Sequence, residues 1–192
     1  MLIDGPRITL RDFHEDDLDG CMAVVGDPEV TRFLSFDTRP RGVHATALAA
    51  DIARSQTDPR PDYYLAVIAK DTSTMIGFTR LGLGGPKAAE LGYAIRRDLW
   101  GQGYATEAAA VVLDFGFATL GLHRIQAACG PDNAASQRVL AKLGFSYEGR
   151  MRDHVFTNGA WRDSLLYSLL ETEWERIRPI ALGGAAAPIA GA

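Results

Sequence analysis

Two stretches of this chain gather residue types that could do chemistry. The first runs Ile95-Arg96-Arg97-Asp98-Leu99-Trp100-Gly101-Gln102-Gly103-Tyr104-Ala105-Thr106-Glu107, a strand that passes through a glycine-bearing loop into a helix. Gly101 and Gly103 let backbone approach a ligand closely, the first-turn amides have no intrahelical acceptor, and the helix dipole favours an anion there. A pyrophosphate fits that description, although the loop alone could equally be a plain strand-to-helix turn. Neither common nucleotide motif is present. A Rossmann GxGxxG starting at Gly101 would need glycine where Thr106 stands, and neither this loop nor residues 82–87 supplies the Gly-Lys-Ser/Thr of a Walker loop.

The second stretch is the strand at residues 90–95, whose alternation puts Glu90, Gly92 and Ala94 on one face and Leu91, Tyr93 and Ile95 on the other. Glu90 shares its face with small residues only, so its carboxylate has room to act as a base, directly or through water. A solvated glutamate at a strand start is the plain alternative. Farther along, Ser136 precedes Val139 and Leu140 by three and four residues and so points along the apolar stripe of its helix. It could meet a ligand there, or simply bond to backbone at the helix start. His14, His44, His123 and His154 have no metal-ligand spacing, and no metal is expected. Arg96, Arg97 and Lys142 could meet phosphates, but basic residues beside a loop are usually solvated.

The elements that must position these residues alternate between strand and helix. A strand at 7–11 precedes a helix that starts in the acidic cluster Glu15, Asp16 and Asp17 and reaches about Val25; Pro28 opens a short second helix. A helix at 43–56 leads into a hairpin, 63–70 and 75–83, joined by Asp71-Thr72-Ser73-Thr74. After the strand at 90–95, a nearly all-apolar helix spans 104–120, with Glu107 and Asp114 on one narrow face. A strand at 124–129, a helix at 133–143, a hairpin of 145–155 and 161–170 about Asn158-Gly159, and a helix at 171–178 complete the domain. Pro179 is expected to stop that last helix, leaving 179–192 as a flexible small-residue tail.

The loop read as Trp100-Gly101-Gln102-Gly103-Tyr104-Ala105-Thr106-Glu107-Ala108 resembles the acetyl-CoA signature of the GNAT superfamily, Arg/Gln-x-x-Gly-x-Gly/Ala. Trp100 departs at the first position, in the form familiar from the RimJ/RimL-like branch of ribosomal-protein N-terminal acetyltransferases. Pro6-Arg7-Ile8-Thr9-Leu10-Arg11, Asp27-Pro28-Glu29-Val30, Glu90-Leu91-Gly92-Tyr93, Asn133-Ala134-Ala135-Ser136 and Trp161-Arg162-Asp163-Ser164 extend the resemblance over nearly the whole chain. It implies an α/β (α+β) fold, one GNAT-like domain at 1–178 with a strongly bent mixed sheet flanked by helices. It also implies acetyl-CoA as co-substrate. Backbone around Tyr93 and Ile95 would meet the pantetheine arm, the amides of Gly101, Gln102, Gly103, Tyr104, Ala105 and Thr106 the diphosphate, and Asn133 the thioester end.

The reaction so implied moves an acetyl group to a primary amine, which must shed a proton before it attacks, while the departing thiolate can gain one. Glu90 is the candidate base. Many relatives carry a tyrosine acid seven residues after the asparagine, where this chain has Leu140; the branch resemblance offers Ser136 in its place, as acid or only to position the coenzyme. A protein or peptide N-terminus is the favoured acceptor, a small-molecule amine the alternative, and a non-catalytic acyl-CoA-binding module the remaining one. Phe33, Phe36 and Trp161 are candidates for the acceptor wall, since the family builds it from an early loop and a late hairpin.

The 192 residues suit one domain. With 47% hydrophobic and 23% charged residues, the composition is that of an ordinary globular protein. A net charge of −4 argues against a nucleic-acid surface. Cys21 and Cys129, far apart and in apolar contexts, read as free thiols. The first residues lack a charged stretch followed by an apolar one, and no apolar run reaches 18 residues, so no membrane partner and a cytoplasmic location are expected. Either a monomer or a homodimer is compatible with the sequence.

Overall fold

The structure, a computed structural model, describes residues 1–182. Alternating apolar residues and strong turn formers make eight strands among the described residues: β1 (Leu2–Asp4), β2 (Ile8–Asp12), β3 (Asp62–Ala69), β4 (Thr74–Leu83), β5 (Ala88–Ile95), β6 (Arg124–Cys129), β7 (Ser146–Thr157) and β8 (Ala160–Leu170). One mixed sheet collects them in the order β1-β2-β3-β4-β5-β6-β8-β7. The helices are α1 (Leu18–Val25), α2 (Pro28–Thr31), α3 (Arg41–Ser55), α4 (Tyr104–Asp114), α5 (Ala134–Lys142) and α6 (Glu171–Ala181). The expected mixed sheet flanked by helices is what forms. β1 was not foreseen, because a three-residue edge strand is too short to show alternation.

Every strand pair is antiparallel except β5 with β6, which α4 connects as a crossover. That parallel pairing covers only Ala88↔Arg124, Ala89↔Ile125 and Glu90↔Gln126. On its other side β5 stays paired with β4 as far as Gly77↔Ile95. Beyond Glu90 one edge of β5 therefore has no strand beside it among the described residues, and the sheet opens there.

A hydrophobic core lies on each face. On one, Ala108–Leu113 of α4 are all buried against Leu81, Leu91, Ile95 and Ile125, with small alanines allowing close approach to the sheet. On the other, Val24, Val25 and Leu48 of α1 and α3 pack on Ala66, Phe78 and Ala94. The expected helix at 104–120 is continuous, but residues Phe115–Thr119 widen into a π turn, closed by the Leu120 N–H to the Phe115 carbonyl at 3.1 Å. Asp114 is anchored by the Trp174 indole at 3.2 Å. The last helix does not stop before Pro179: the proline lacks one N–H, yet the next turn re-forms with Leu182 N–H on the Arg178 carbonyl at 3.0 Å. Of the expected tail, residues 183–192 lie outside the described residues.

Candidate active site

The loop after β5 is shaped by its glycines. Gly101 and Gly103 sit at φ 77° and 86°, in the left-handed region that a side chain disfavours. Gly103 caps α4, its carbonyl taking the Glu107 N–H at 3.0 Å, so the N–H groups of the first turn point out of the helix without internal partners. Glu107 would oppose an anion there. Arg7 neutralises it, with the backbone N–H on Oε1 at 2.6 Å and Nε on Oε2 at 2.7 Å. A second guanidinium arm bonds the Gln102 carbonyl at 3.1 Å, and the group lies 4.5 Å from the Tyr104 ring centroid. The dipole end is left free to attract negative charge.

Where β5 parts from β6 lies a cavity of ≈ 710 Å³. Glu90, Tyr93, Ile95, Gly101, Gly103, Tyr104, Ala105, Thr106, Asn133 and Ser136 all line it. Of the residues named from sequence, Gln102 does not: its side chain turns to the Asp98 carbonyl at 3.4 Å and its own carbonyl takes Arg7. Ile95 contributes its edge, but its carbonyl already accepts the Trp100 indole N–H at 2.8 Å, which pins the loop. The unpaired edge of β5 can meet an extended, amide-bearing arm much as it would another strand. The mouth carries two cations of α5, Arg138 and Lys142, and of these the sequence had offered only Lys142. Arg96 is instead paired with Asp98 at 2.8 Å.

At the centre of the cavity α5 starts at Asn133, whose Oδ1 accepts the Ser136 N–H at 3.0 Å. Ser136 Oγ lies 2.8 Å from the Tyr93 hydroxyl. Burial pushes the Tyr93 phenol well above its ordinary range, so it stays protonated. Cys129 also faces the cavity; burial pushes its thiol up, against a smaller opposing effect of Ser136, so it is not a ready thiolate. Leu140, where many relatives carry tyrosine, is 1% exposed and belongs to the core.

The other half of the cavity mixes charge and aromatic surface. Arg80 bonds Asp62 at 2.9 Å, and Arg54 pairs with Asp51 and approaches Asp62 at 3.6 Å. These cations are thereby spoken for. Glu90 is exposed into the cavity and, among the described residues, has no ion-pair partner. Phe33 and Phe36 line the cavity. Trp161 does not: it is 61% exposed on the outer face of the β7–β8 hairpin, edge-on to Phe156 at 5.3 Å. Strand alternation turns its neighbour Arg162 inward, on the side of buried Ser164. Arg162 clasps the carbonyls of Arg32 at 3.0 Å and Leu34 at 3.2 Å, while Asn158 N–H bonds Asp37 at 2.7 Å. These contacts hold the hairpin over the loop between α2 and α3. A bulge in β7 between Met151 and Val155, held by Asp153 N–H on Asp163 at 2.9 Å, brings His154 to the wall, 3.0 Å from Ser164.

Sequence comparison matches residues 7–146 to the acetyltransferase (GNAT) domain. An uncharacterized N-acetyltransferase p20 of Bacillus licheniformis is 31% identical over 170 residues, 88% of this chain and 95% of that protein. The [ribosomal protein uS5]-alanine N-acetyltransferase of Escherichia coli is 33% identical over 115 residues, 58% of this chain and 59% of that one. Among solved structures, Mycobacterium smegmatis RimJ in complex with CoA-disulfide superposes with a TM-score of 0.80 at 24% identity, covering 95% of this chain and 93% of that one.

Proposed function

Because this chain belongs to the GNAT acetyltransferase family, in the RimJ/RimL-like branch to which its relatives point, and is an acetyl-CoA-dependent N-acetyltransferase, we propose that it acetylates a peptide or protein N-terminus by direct attack. One observation carries the mechanism: the gap between β5 and β6 has free helix amides at one end and an unpaired carboxylate, Glu90, at the other.

The coenzyme's diphosphate sits on the amides of 101–106, flanked by Arg138 and Lys142, and its arm follows the free edge of β5. The acceptor amine gives its proton to Glu90, directly or through water, and its lone pair forms the bond to the acetyl carbon. The carbon–sulfur bond breaks with its electrons on sulfur, where the Ser136 hydroxyl meets the developing thiolate. The raised Cys129 thiol supports direct transfer over a cysteine-bound acetyl, since a thiol is a poor nucleophile.

The peptide preference leans on the E. coli relative, whose acceptor is an alanine of a ribosomal protein. A small-molecule amine is the second choice, favoured by the clasp of Arg162 that roofs the acceptor half. Incubating the protein with acetyl-CoA and a panel of peptide N-termini and small amines, and reading free thiol and product mass, separates the two. Acetylated peptide supports the first choice, and acetylated small amine alone the second.

A further inference from the structure

The Tyr93–Ser136 contact joins two elements, β5 and α5, across the point where the sheet has opened. Ser136 is pinned through its backbone, since its N–H is held by Asn133. Its hydroxyl remains a free rotor. Serine in a first helical turn ordinarily folds back onto local backbone, and the Cys129 thiol offers a second competing partner. The phenol of Tyr93 has its polar contacts on Ser136: Oγ at 2.8 Å and, more weakly, the carbonyl at 3.4 Å.

The geometry allows either hydroxyl to donate in that bond. A phenol is the stronger donor, and acidity therefore favours Tyr93 donating and Ser136 Oγ accepting. The serine's own proton is then left to point into the cavity. Acidity also decides whether Tyr93 gives its proton away. Burial holds the Tyr93 phenol protonated, so transfer of its proton to an alkyl thiolate is uphill. A proton relay through Tyr93 is therefore disfavoured, whereas orientation costs nothing in ionisation.

We propose that Tyr93 is a positioning residue, whose hydroxyl donates to Ser136 Oγ and so turns the serine O–H toward the sulfur of the departing coenzyme. This rests on the direct-transfer mechanism above. It assigns the Tyr93 side chain a task distinct from the backbone contact that the family resemblance implied.

The test is steady-state kinetics of the full chain with acetyl-CoA and the best amine of the panel, for wild type, Tyr93→Phe, Ser136→Ala and the double variant. Loss of one orienting bond is expected to lower kcat about tenfold in Tyr93→Phe, with both KM values and the Kd for CoA within about twofold. The double variant is expected to be no slower than Ser136→Ala alone, because the tyrosine acts through the serine. Incorporating 3-fluorotyrosine at position 93, a stronger donor of nearly the same shape, is expected to keep kcat within about twofold of wild type and serves if Tyr93→Phe does not fold. Unchanged kcat in Tyr93→Phe, losses that multiply in the double variant, a fluorotyrosine protein as slow as the phenylalanine one, or an effect confined to CoA affinity would each overturn the inference. A wild type that releases no thiol with any amine overturns the functional reading and this inference together; an active wild type with an unimpaired Tyr93→Phe overturns this inference alone.

Discussion

The two halves of the cavity are built in different ways. The half assigned above to the coenzyme is mainly local: β5, the loop at 96–103 and the first turn of α4 follow one another in the chain and bring free backbone amides, while α5 adds Asn133, Ser136, Arg138 and Lys142 from farther along. The half assigned to the acceptor joins the loop after α2 to the β7–β8 hairpin through contacts between residues 121 to 130 apart. Backbone amides offer the same chemistry whatever the neighbouring side chains, so the coenzyme half suits an invariant ligand. A surface of side chains on loops can change with the acceptor while the scaffold stays fixed. Perturbing each half should then move a different kinetic constant.

The largest effect is expected at Glu90, the base in the proposed mechanism. Glu90→Gln should lower kcat on the order of 100-fold with CoA affinity unchanged, read by steady-state kinetics and calorimetry. Activity near wild type would pass the base's task to another group, His154 being the one on the same wall. Next is Gly103→Glu on the coenzyme side. A carboxylate there occupies the dipole end that the diphosphate would use and repels it, so CoA should bind on the order of tenfold more weakly, while the left-handed backbone costs the fold ~1–2 kcal/mol with a side chain. Equal loss of acceptor affinity would blur the division between the halves.

Arg162→Ala tests the other side. Losing two charged hydrogen bonds from the clasp should raise the acceptor KM about tenfold while CoA affinity holds. The smallest effect on function, though not on stability, is expected away from the cavity lining, where Asp17 receives both arms of Arg11 at 2.6 and 2.8 Å. Burial alone would raise the Asp17 carboxyl, but the Arg11 bonds and the His14 N–H together hold it below its ordinary value. A depressed carboxylate stabilises the fold above its unfolded pKa of ~3.9 and loses that contribution as pH falls through the folded value. Asp17→Asn should therefore cost ~3 kcal/mol at neutral pH and flatten the acid limb of the stability curve, measured by urea unfolding at pH 7 and pH 3.

The same division explains how much could be read from sequence. Gly101 and Gly103 before an apolar helix, the small-residue face around Glu90, and Ser136 ahead of Val139 are local patterns, and the structure brings them to one cavity. Arg7 could not be assigned to the loop, because its partner Glu107 is 100 residues away and nothing in either neighbourhood points to the other. Arg162 was legible in the alternation, which from Ser164 places it inward and Trp161 outward, although a large aromatic is the commoner lining of a pocket. The hydroxyl contact of Tyr93 was hidden for a third reason. Periodicity fixes which face of β5 a residue occupies, but not which helix will cross that face.

Both halves depend on coenzyme entering where β5 leaves β6. A crystal structure of the protein with CoA tests this most directly. The expected result has the diphosphate oxygens within hydrogen-bond distance of the backbone N–H groups at 101–106 and the thiol within reach of Ser136 Oγ. A coenzyme seated anywhere else, or a first turn of α4 that contacts no phosphate, would contradict it.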